Sequence, residues 1–188
     1  MHEPAAPDAP EGRPTLAVFD IDGVLADVRH RLHHVAVRPK DWAAFFDAAP
    51  QDPPLPEGIG AVRTAHRGGH MIAYVTGRPE RCRADTRDWL AAHGLPDGEL
   101  VMRQDSDRRP ARVTKVNALG RLARRYRLVA FVDDDAAVVE AVRRAGFPVL
   151  HARWMGGSTS GADAAPHLPG GGTTQDVLFE IQEAEGRT

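Results

Sequence analysis

The sequence predicts a doubly wound α/β fold: a parallel sheet with helices on both faces and a minimal helical insertion. Three observations predict it. Five short apolar runs of strand length recur along the chain: LAVFDID (16–22), HMIAYVTG (70–77), ELVMR (99–103), LVAFVDDD (128–135) and PVLHARW (148–154). Segments of helical period fill the gaps between them, the alternation that builds a parallel sheet covered on both sides. Polar residues then gather at the carboxyl ends of the runs, where such sheets bind ligands.

The elements follow in order. After the first run, residues 23–56 hold one or two short helices, with Trp42, Phe45 and Phe46 as apolar core anchors. A helix starts near Pro56 and leads to the second run. Residues 79–93 open on Pro79 and close at Gly94, the positions a helix prefers for these residues. Residues 113–126 place Val116, Leu119, Leu122 and Tyr126 on one face, and residues 136–145 do the same with Val138, Val139 and Val142. The folded domain is read as residues 15–155. Residues 1–14, rich in Pro, Ala and acid, read as a disordered tail. Residues 156–173, rich in Gly, Ser and Pro, read as a flexible linker, and 174–188 as a short C-terminal helix with a threonine cap. That helix is expected to dock on the core or to join two copies of the chain into a homo-oligomer.

Composition excludes several classes. The 188 residues are 42% hydrophobic and 27% charged, ordinary for a globular domain. A net charge of −2 gives no global field for nucleic acid or an anionic membrane. Nothing approaches the ~20 apolar residues of a membrane span, and the opening MHEPAAPDAPEGRP lacks the basic-then-apolar order of a signal peptide. A single cysteine, Cys82, permits no internal disulfide. A cytoplasmic location is expected.

The strand ends carry the chemistry. Asp20 and Asp22 end the first run, Thr76 and Arg78 the second, and Asp133, Asp134 and Asp135 the fourth. Carboxylates from two strands repel unless a cation sits between them, and a hard ion such as Mg²⁺ with oxygen ligands is the natural partner. Gly23 lets the backbone turn sharply after the acids. One of the paired carboxylates could attack phosphorus while the other trades a proton with the leaving oxygen. Thr76 and the amides around Gly77 could donate to phosphate oxygens. Only Lys40 and Lys115 are lysines in a chain with 24 basic residues, and Lys115 falls where a compact cation would neutralise charge between phosphate and nucleophile. Asp135 is read as a helix cap.

FDIDGVL, VTGR, Lys115 and FVDDD together resemble, in order and spacing, the four motifs of the haloacid dehalogenase superfamily. Within it, RCRADTRDWLAAHGL, LVMR and the basic segment leading to lysine resemble the 3′-phosphatase domain of bacteriophage polynucleotide kinase. The resemblance implies Asp20 as nucleophile and Asp22 as acid/base. It implies Mg²⁺ on Asp20, the Asp22 backbone and Asp134, with Asp133 supporting those ligands from behind or reaching the ion through a water. Arg31 and Arg78 match arginines of that family and are expected to bind substrate. Two departures stand out: no GxxxxGK[ST] phosphate loop occurs in this sequence, and Val24 replaces the threonine often found after DxDG.

Between Thr76 and Lys115 only a helix and a strand fit, so no cap domain fits there and the site is expected to be open. Residues 103–127 carry nine basic residues against two acidic ones. Of these, Arg103 and Arg109 are expected to track substrate phosphates. The expected activity is Mg²⁺-dependent hydrolysis of a phosphomonoester, on a nucleic-acid 3′-phosphate end or a nucleotide. The alternatives are a small-metabolite phosphatase and, in another class, a non-catalytic phosphate-binding or phospho-receiver module.

Overall fold

The computed structural model describes residues 12–157. Five strands alternate with six α-helices: β1 Thr15–Phe19, α1 His33–Ala36, α2 Trp42–Asp47, α3 Pro56–Arg67, β2 Met71–Pro79, α4 Arg83–Ala92, β3 Glu99–Arg103, α5 Ala111–Leu122, β4 Arg127–Asp133, α6 Ala136–Arg144 and β5 Leu150–His151. The sheet is parallel throughout, in the order β3-β2-β1-β4-β5. This is the doubly wound architecture that the alternation predicts.

Strand alternation divides the core in two. Ala17 and Phe19 point to one face of the sheet, where Ile59 and Val62 of α3 and Trp89 and Leu90 of α4 cover them. Leu16 and Val18 point to the other, against Leu119 and Leu122 of α5 and Val138 and Val142 of α6. Burial on both faces explains why β1 reads as a continuous apolar run rather than an alternating one. Helix α3 begins with Pro56 at its first turn and approaches the loop after β1 closely at Gly58. A Cβ there would fall 1.9 Å from the Val24 carbonyl oxygen. The α6 N-terminus is capped by Asp135, whose side chain accepts from Ala137 N at 2.7 Å, as the sequence suggests.

Several boundaries differ from those expected. Residue Pro79 stays extended and pairs with Arg103, so β2 runs on through Gly77 and Arg78. A 3₁₀ turn at Glu80–Cys82 then precedes α4, which starts later than the proline suggests. The insertion of residues 23–56 holds two short α-helices flanked by 3₁₀ turns at Arg29–Arg31 and Ala49–Gln51. Its ends are tied together, with Asp27 N donating to Pro53 O at 2.8 Å and Leu55 N to Leu25 O at 2.7 Å. The last residues of the expected N-terminal tail are anchored. Arg127 N donates to Pro14 O at 3.0 Å, and the Arg13 guanidinium donates to the Ala123 carbonyl. The first two linker residues close a 3₁₀ turn at Trp154–Gly157. The rest of the linker, the C-terminal helix and residues 1–11 lie outside the described residues. Among the described residues no helix is long and apolar enough to cross a membrane.

Strand β1 lies between β2 and β4, so the strand order reverses beside it. The carboxyl ends of β1 and β4 therefore flank the crevice where doubly wound sheets take their ligands.

Candidate active site

The acids at that crevice are buried and share one cation. Asp20 follows β1 directly, held by its own N–H to Val132 O at 2.9 Å. Lys115, one turn into α5, donates from Nζ to Asp20 Oδ2 and to Asp133 Oδ2, both at 2.6 Å. The other oxygens of the two acids accept backbone N–H groups, Asp20 Oδ1 from Ile21 at 2.8 Å and Asp133 Oδ1 from Asp135 at 3.0 Å. Each side chain thus has a fixed orientation before any ligand arrives. Burial pushes the Asp20 carboxyl up to about 7 despite the lysine, and the charge of Asp133 adds to the push. Burial raises Asp133 as well, against the opposing pull of Lys115. The same two carboxylates outweigh desolvation at Lys115 and hold its ammonium protonated well above the ordinary lysine range.

Asp134 completes the cluster. Oxygens of Asp20, Asp133 and Asp134 can all lie within 4.8 Å of one another. Burial and the charge on Asp20 raise the Asp134 carboxyl to about 7. Its backbone is fixed by His151, whose Nε2 lies 3.0 Å from the Asp134 carbonyl oxygen. Its carboxylate sits over Gly23, where a Cβ would come within 2.1 Å of Asp134 Oδ2. Gly23 also adopts φ +81°, a left-handed conformation that glycine takes without strain. Three carboxylates face one ammonium here, so the ionised cluster carries two uncompensated negative charges. All the donors are oxygen. That set fits a hard divalent ion. Asp133 is fully buried and does not line the cavity above the cluster, whereas Asp20 and Asp134 do, so these two are the side chains best placed to ligate it directly.

Asp22 occupies a different electrostatic setting. Its Oδ1 accepts from Arg31 Nη2 at 2.8 Å and from Arg78 Nε at 2.8 Å, and Arg78 Nη2 also lies 2.6 Å away. Burial pushes the carboxyl up, but the two guanidiniums together outweigh it and hold Asp22 below the usual carboxylate range. The arginines are not where the sequence reading puts them. Their side chains are 0% and 1% exposed, beneath Asp22 and away from the cavity, so their surroundings do not support contact with substrate. Their second partner is Asp52, a residue the sequence reading passed over. Its Oδ1 accepts from Arg31 Nε and its Oδ2 from Arg31 Nη2 and Arg78 Nη2, each at 2.7 Å. His30 Nε2 lies 2.8 Å from Oδ1, and Trp89 Nε1 donates to the Asp52 carbonyl at 2.8 Å. Two buried cations and two carboxylates form a closed, neutral quartet.

A cavity of about 620 Å³ opens above the acids. Asp20, Asp22, Lys115, Asp134 and Gly77 line it, so residues predicted from three strand ends and one helix do converge. Thr76 is buried within β2 just before Gly77 and, like the two arginines, does not itself line the cavity; its Oγ1 accepts from Arg78 N at 3.2 Å, which leaves the hydroxyl proton free to be donated elsewhere. Arg103 and Arg109 line one wall. Arg103 Nη1 donates to the Arg109 carbonyl at 2.9 Å, and Arg109 forms a fork with Asp107, its Nη2 at 2.6 Å from Oδ2. The expected aromatic anchors split: Phe45 is 7% exposed, whereas Trp42 is 49% exposed and lines the same cavity.

A five-stranded doubly wound sheet with this acid and lysine constellation at its switch point defines a phosphatase of the haloacid dehalogenase superfamily. A profile of the polynucleotide kinase PNKP phosphatase domain matches residues 14–153, nearly the whole described chain. The chain belongs to that family and is a phosphatase, a phosphomonoester hydrolase. Among solved structures, a chain of the Pnkp1/Rnl/Hen1 RNA repair complex superposes with TM-score 0.65 at 23% identity, over 77% of this chain and 44% of that one. This chain therefore spans less than half the length of that relative. The class C acid phosphatase from Bacillus anthracis, solved with tungstate bound, gives TM-score 0.56 at 17% identity, over 71% of this chain and 60% of that one. The D,D-heptose 1.7-bisphosphate phosphatase from B. bronchiseptica, solved with magnesium and phosphate, gives TM-score 0.52 at 16% identity, over 93% and 99%. These likenesses establish the shared fold. No curated protein matches the sequence.

Proposed function

We propose that the protein is a Mg²⁺-dependent phosphatase that works through an aspartyl-phosphate on Asp20 and acts on nucleic-acid 3′-phosphate ends. One observation carries the reading: the buried Asp20 bonded to Lys115 at 2.6 Å, at the floor of an open cavity walled by arginine. The ion would be held by Asp20, Asp134 and the Asp22 backbone, with Asp133 behind them. When bound it would offset the charge of the acids and of the incoming phosphate. A magnesium-bound neighbour of the same fold supports the choice of ion.

The chain's own residues perform the steps. The Asp20 carboxylate attacks phosphorus as the bond to the leaving 3′-oxygen breaks, and Asp22, which first takes up a proton from solvent against the pull of its two arginines, passes it to that oxygen. Water then attacks the aspartyl-phosphate and gives a proton back to Asp22, releasing inorganic phosphate and restoring Asp20. Three donor contacts fall on Asp22 Oδ1, which leaves Oδ2 to exchange the proton. Thr76 and the amides near Gly77 would bind the non-bridging oxygens, and Lys115 would hold the nucleophile in line. Arg31 and Arg78, in this reading, orient Asp22 and do not touch substrate.

A polymer substrate is supported by the short insertion, which leaves the cavity open, and by Arg103, Arg108 and Arg109 on its wall. Phosphate release from a 3′-phosphorylated oligonucleotide, compared with sugar phosphates and free nucleotides in Mg²⁺, tests the reading. The oligonucleotide should be preferred, and excess EDTA should abolish release. The Arg109→Ala variant should lower kcat/KM for the oligonucleotide roughly tenfold at low salt and affect small substrates much less. Preference for a sugar phosphate, with equal losses on both substrates, would favour a small-metabolite phosphatase.

A further inference from the structure

The cavity is lined both by arginines, Arg81, Arg103, Arg108 and Arg109, and by the aromatic residues of the insertion helix α2. The Arg81 guanidinium lies 5.8 Å from the Phe46 ring centroid, so basic and aromatic surface adjoin. Residues Trp42, Phe45 and Phe46 lie at helical spacing i, i+3 and i+4, so they share one face of α2. Phe45 turns inward, with the Arg31 guanidinium 4.1 Å from its ring centroid. It alone supplies the buried anchor. Trp42 is left 49% exposed, an unusual state for so large an apolar side chain unless something covers it. Its indole is held in place by near-parallel stacking on Phe46, centroids 6.0 Å apart at 23°. Lys40, one of the chain's two lysines, places its ammonium 5.4 Å from the indole centroid.

We propose that Trp42 is a stacking platform for an unpaired nucleobase, the base of the nucleotide that bears the 3′-phosphate. This rests on the nucleic-acid reading above and narrows it to single-stranded or frayed 3′ ends. The cavity that Trp42 lines contains Asp20 and Lys115, so a phosphate over the acids and a base against the aromatic wall would occupy one space. Its volume of about 620 Å³ falls within the ~300–1,000 Å³ typical of organic-ligand sites. An aromatic shelf beside a basic wall is the combination that binds single strands, because every base has a π-face and every linkage a charge. A duplex end would keep its terminal base stacked and paired, away from the indole. Lys40 is exposed, and an exposed cation over a ring is held weakly enough to swing to a flanking phosphate when a base arrives.

The test compares two single-stranded oligonucleotides of one sequence, one ending in an ordinary 3′-phosphorylated nucleotide and the other in a 3′-phosphorylated abasic residue. The full chain should prefer the base-bearing end roughly tenfold in kcat/KM, mostly through KM, because ground-state binding is what stacking adds. The Trp42→Ala variant should reduce that ratio to about one, and Trp42→Phe should keep most of it. Equal turnover of the two ends by the unaltered protein, or a ratio unmoved by Trp42→Ala, would overturn the platform while leaving the 3′-phosphatase reading intact. Failure to turn over either oligonucleotide, with small phosphomonoesters still hydrolysed, would overturn the nucleic-acid reading and this inference with it.

Discussion

Replacing Asp20 with asparagine is expected to lower phosphate release by at least about 10⁴-fold, because an amide oxygen cannot form the acyl-phosphate. The fold should survive. In the metal-free protein the Asp20 carboxyl is raised to about 7 from 3.8, burial being the largest cause. An acid whose folded pKa exceeds its unfolded value binds more protons when folded, so its ionisation lowers stability as pH rises between those values. At pH 8 the charged Asp20 is therefore a burden that asparagine lifts. The melting temperature of metal-free Asp20→Asn at pH 8 should equal or exceed that of the unaltered protein. A variant that lost activity by melting would not test the nucleophile, and thermal denaturation beside the phosphate assay separates the two.

Asp52→Asn is expected to give the largest loss of stability among single changes in the site. The change removes one negative charge from between two guanidiniums whose side chains are 0% and 1% exposed. Breaking a buried ion pair by removing one partner costs about 3–5 kcal/mol, since the remaining charge stays buried and underpaired. Activity should fall further than stability explains. Arg31 and Arg78 would no longer be fixed at their far ends, so Asp22 Oδ1 would lose its rigid support. The expected kinetic pattern is a reduced kcat with little change in KM, measured below the melting transition. Denaturant unfolding gives the stability change, and saturation kinetics the split. A kcat equal to the unaltered protein's at 25 °C would mean that the arginines hold Asp22 without Asp52.

What the sequence revealed follows from distance along the chain. Asp20, Thr76 and Asp133 stand at the carboxyl ends of apolar runs, and period and burial alone put those ends on one rim. Gly23 announced a turn, although only the structure ties it to Asp134 at a separation no side chain could share. Asp52 gave no signal. It sits in PQDPPLP, a stretch without period, and its partners lie 21 and 26 residues away. Arginines read as substrate-binding became buried supports for the same reason: the sequence counts charges and cannot say which carboxylate each one meets. Asp133 and Asp134 are neighbours, and local pattern does not tell which faces the lysine. In the structure Asp133 closes β4 and meets Lys115, while Asp134 lies past the strand end and over Gly23. Spacing placed Trp42, Phe45 and Phe46 on one helical face, yet which ring that face buries depends on how a six-residue helix settles over the Arg31 guanidinium, a contact 14 residues away in the chain.

The account turns on phosphorus passing to Asp20. Acid-quenching the enzyme in mid-reaction with a 3′-³²P-labelled oligonucleotide, then mapping the labelled peptide, tests this most directly. Label on the peptide carrying Asp20, chased to free phosphate when unlabelled substrate is added before the quench, is the predicted result. Phosphate released at the normal rate with label absent from the protein, or fixed on another residue, would contradict it.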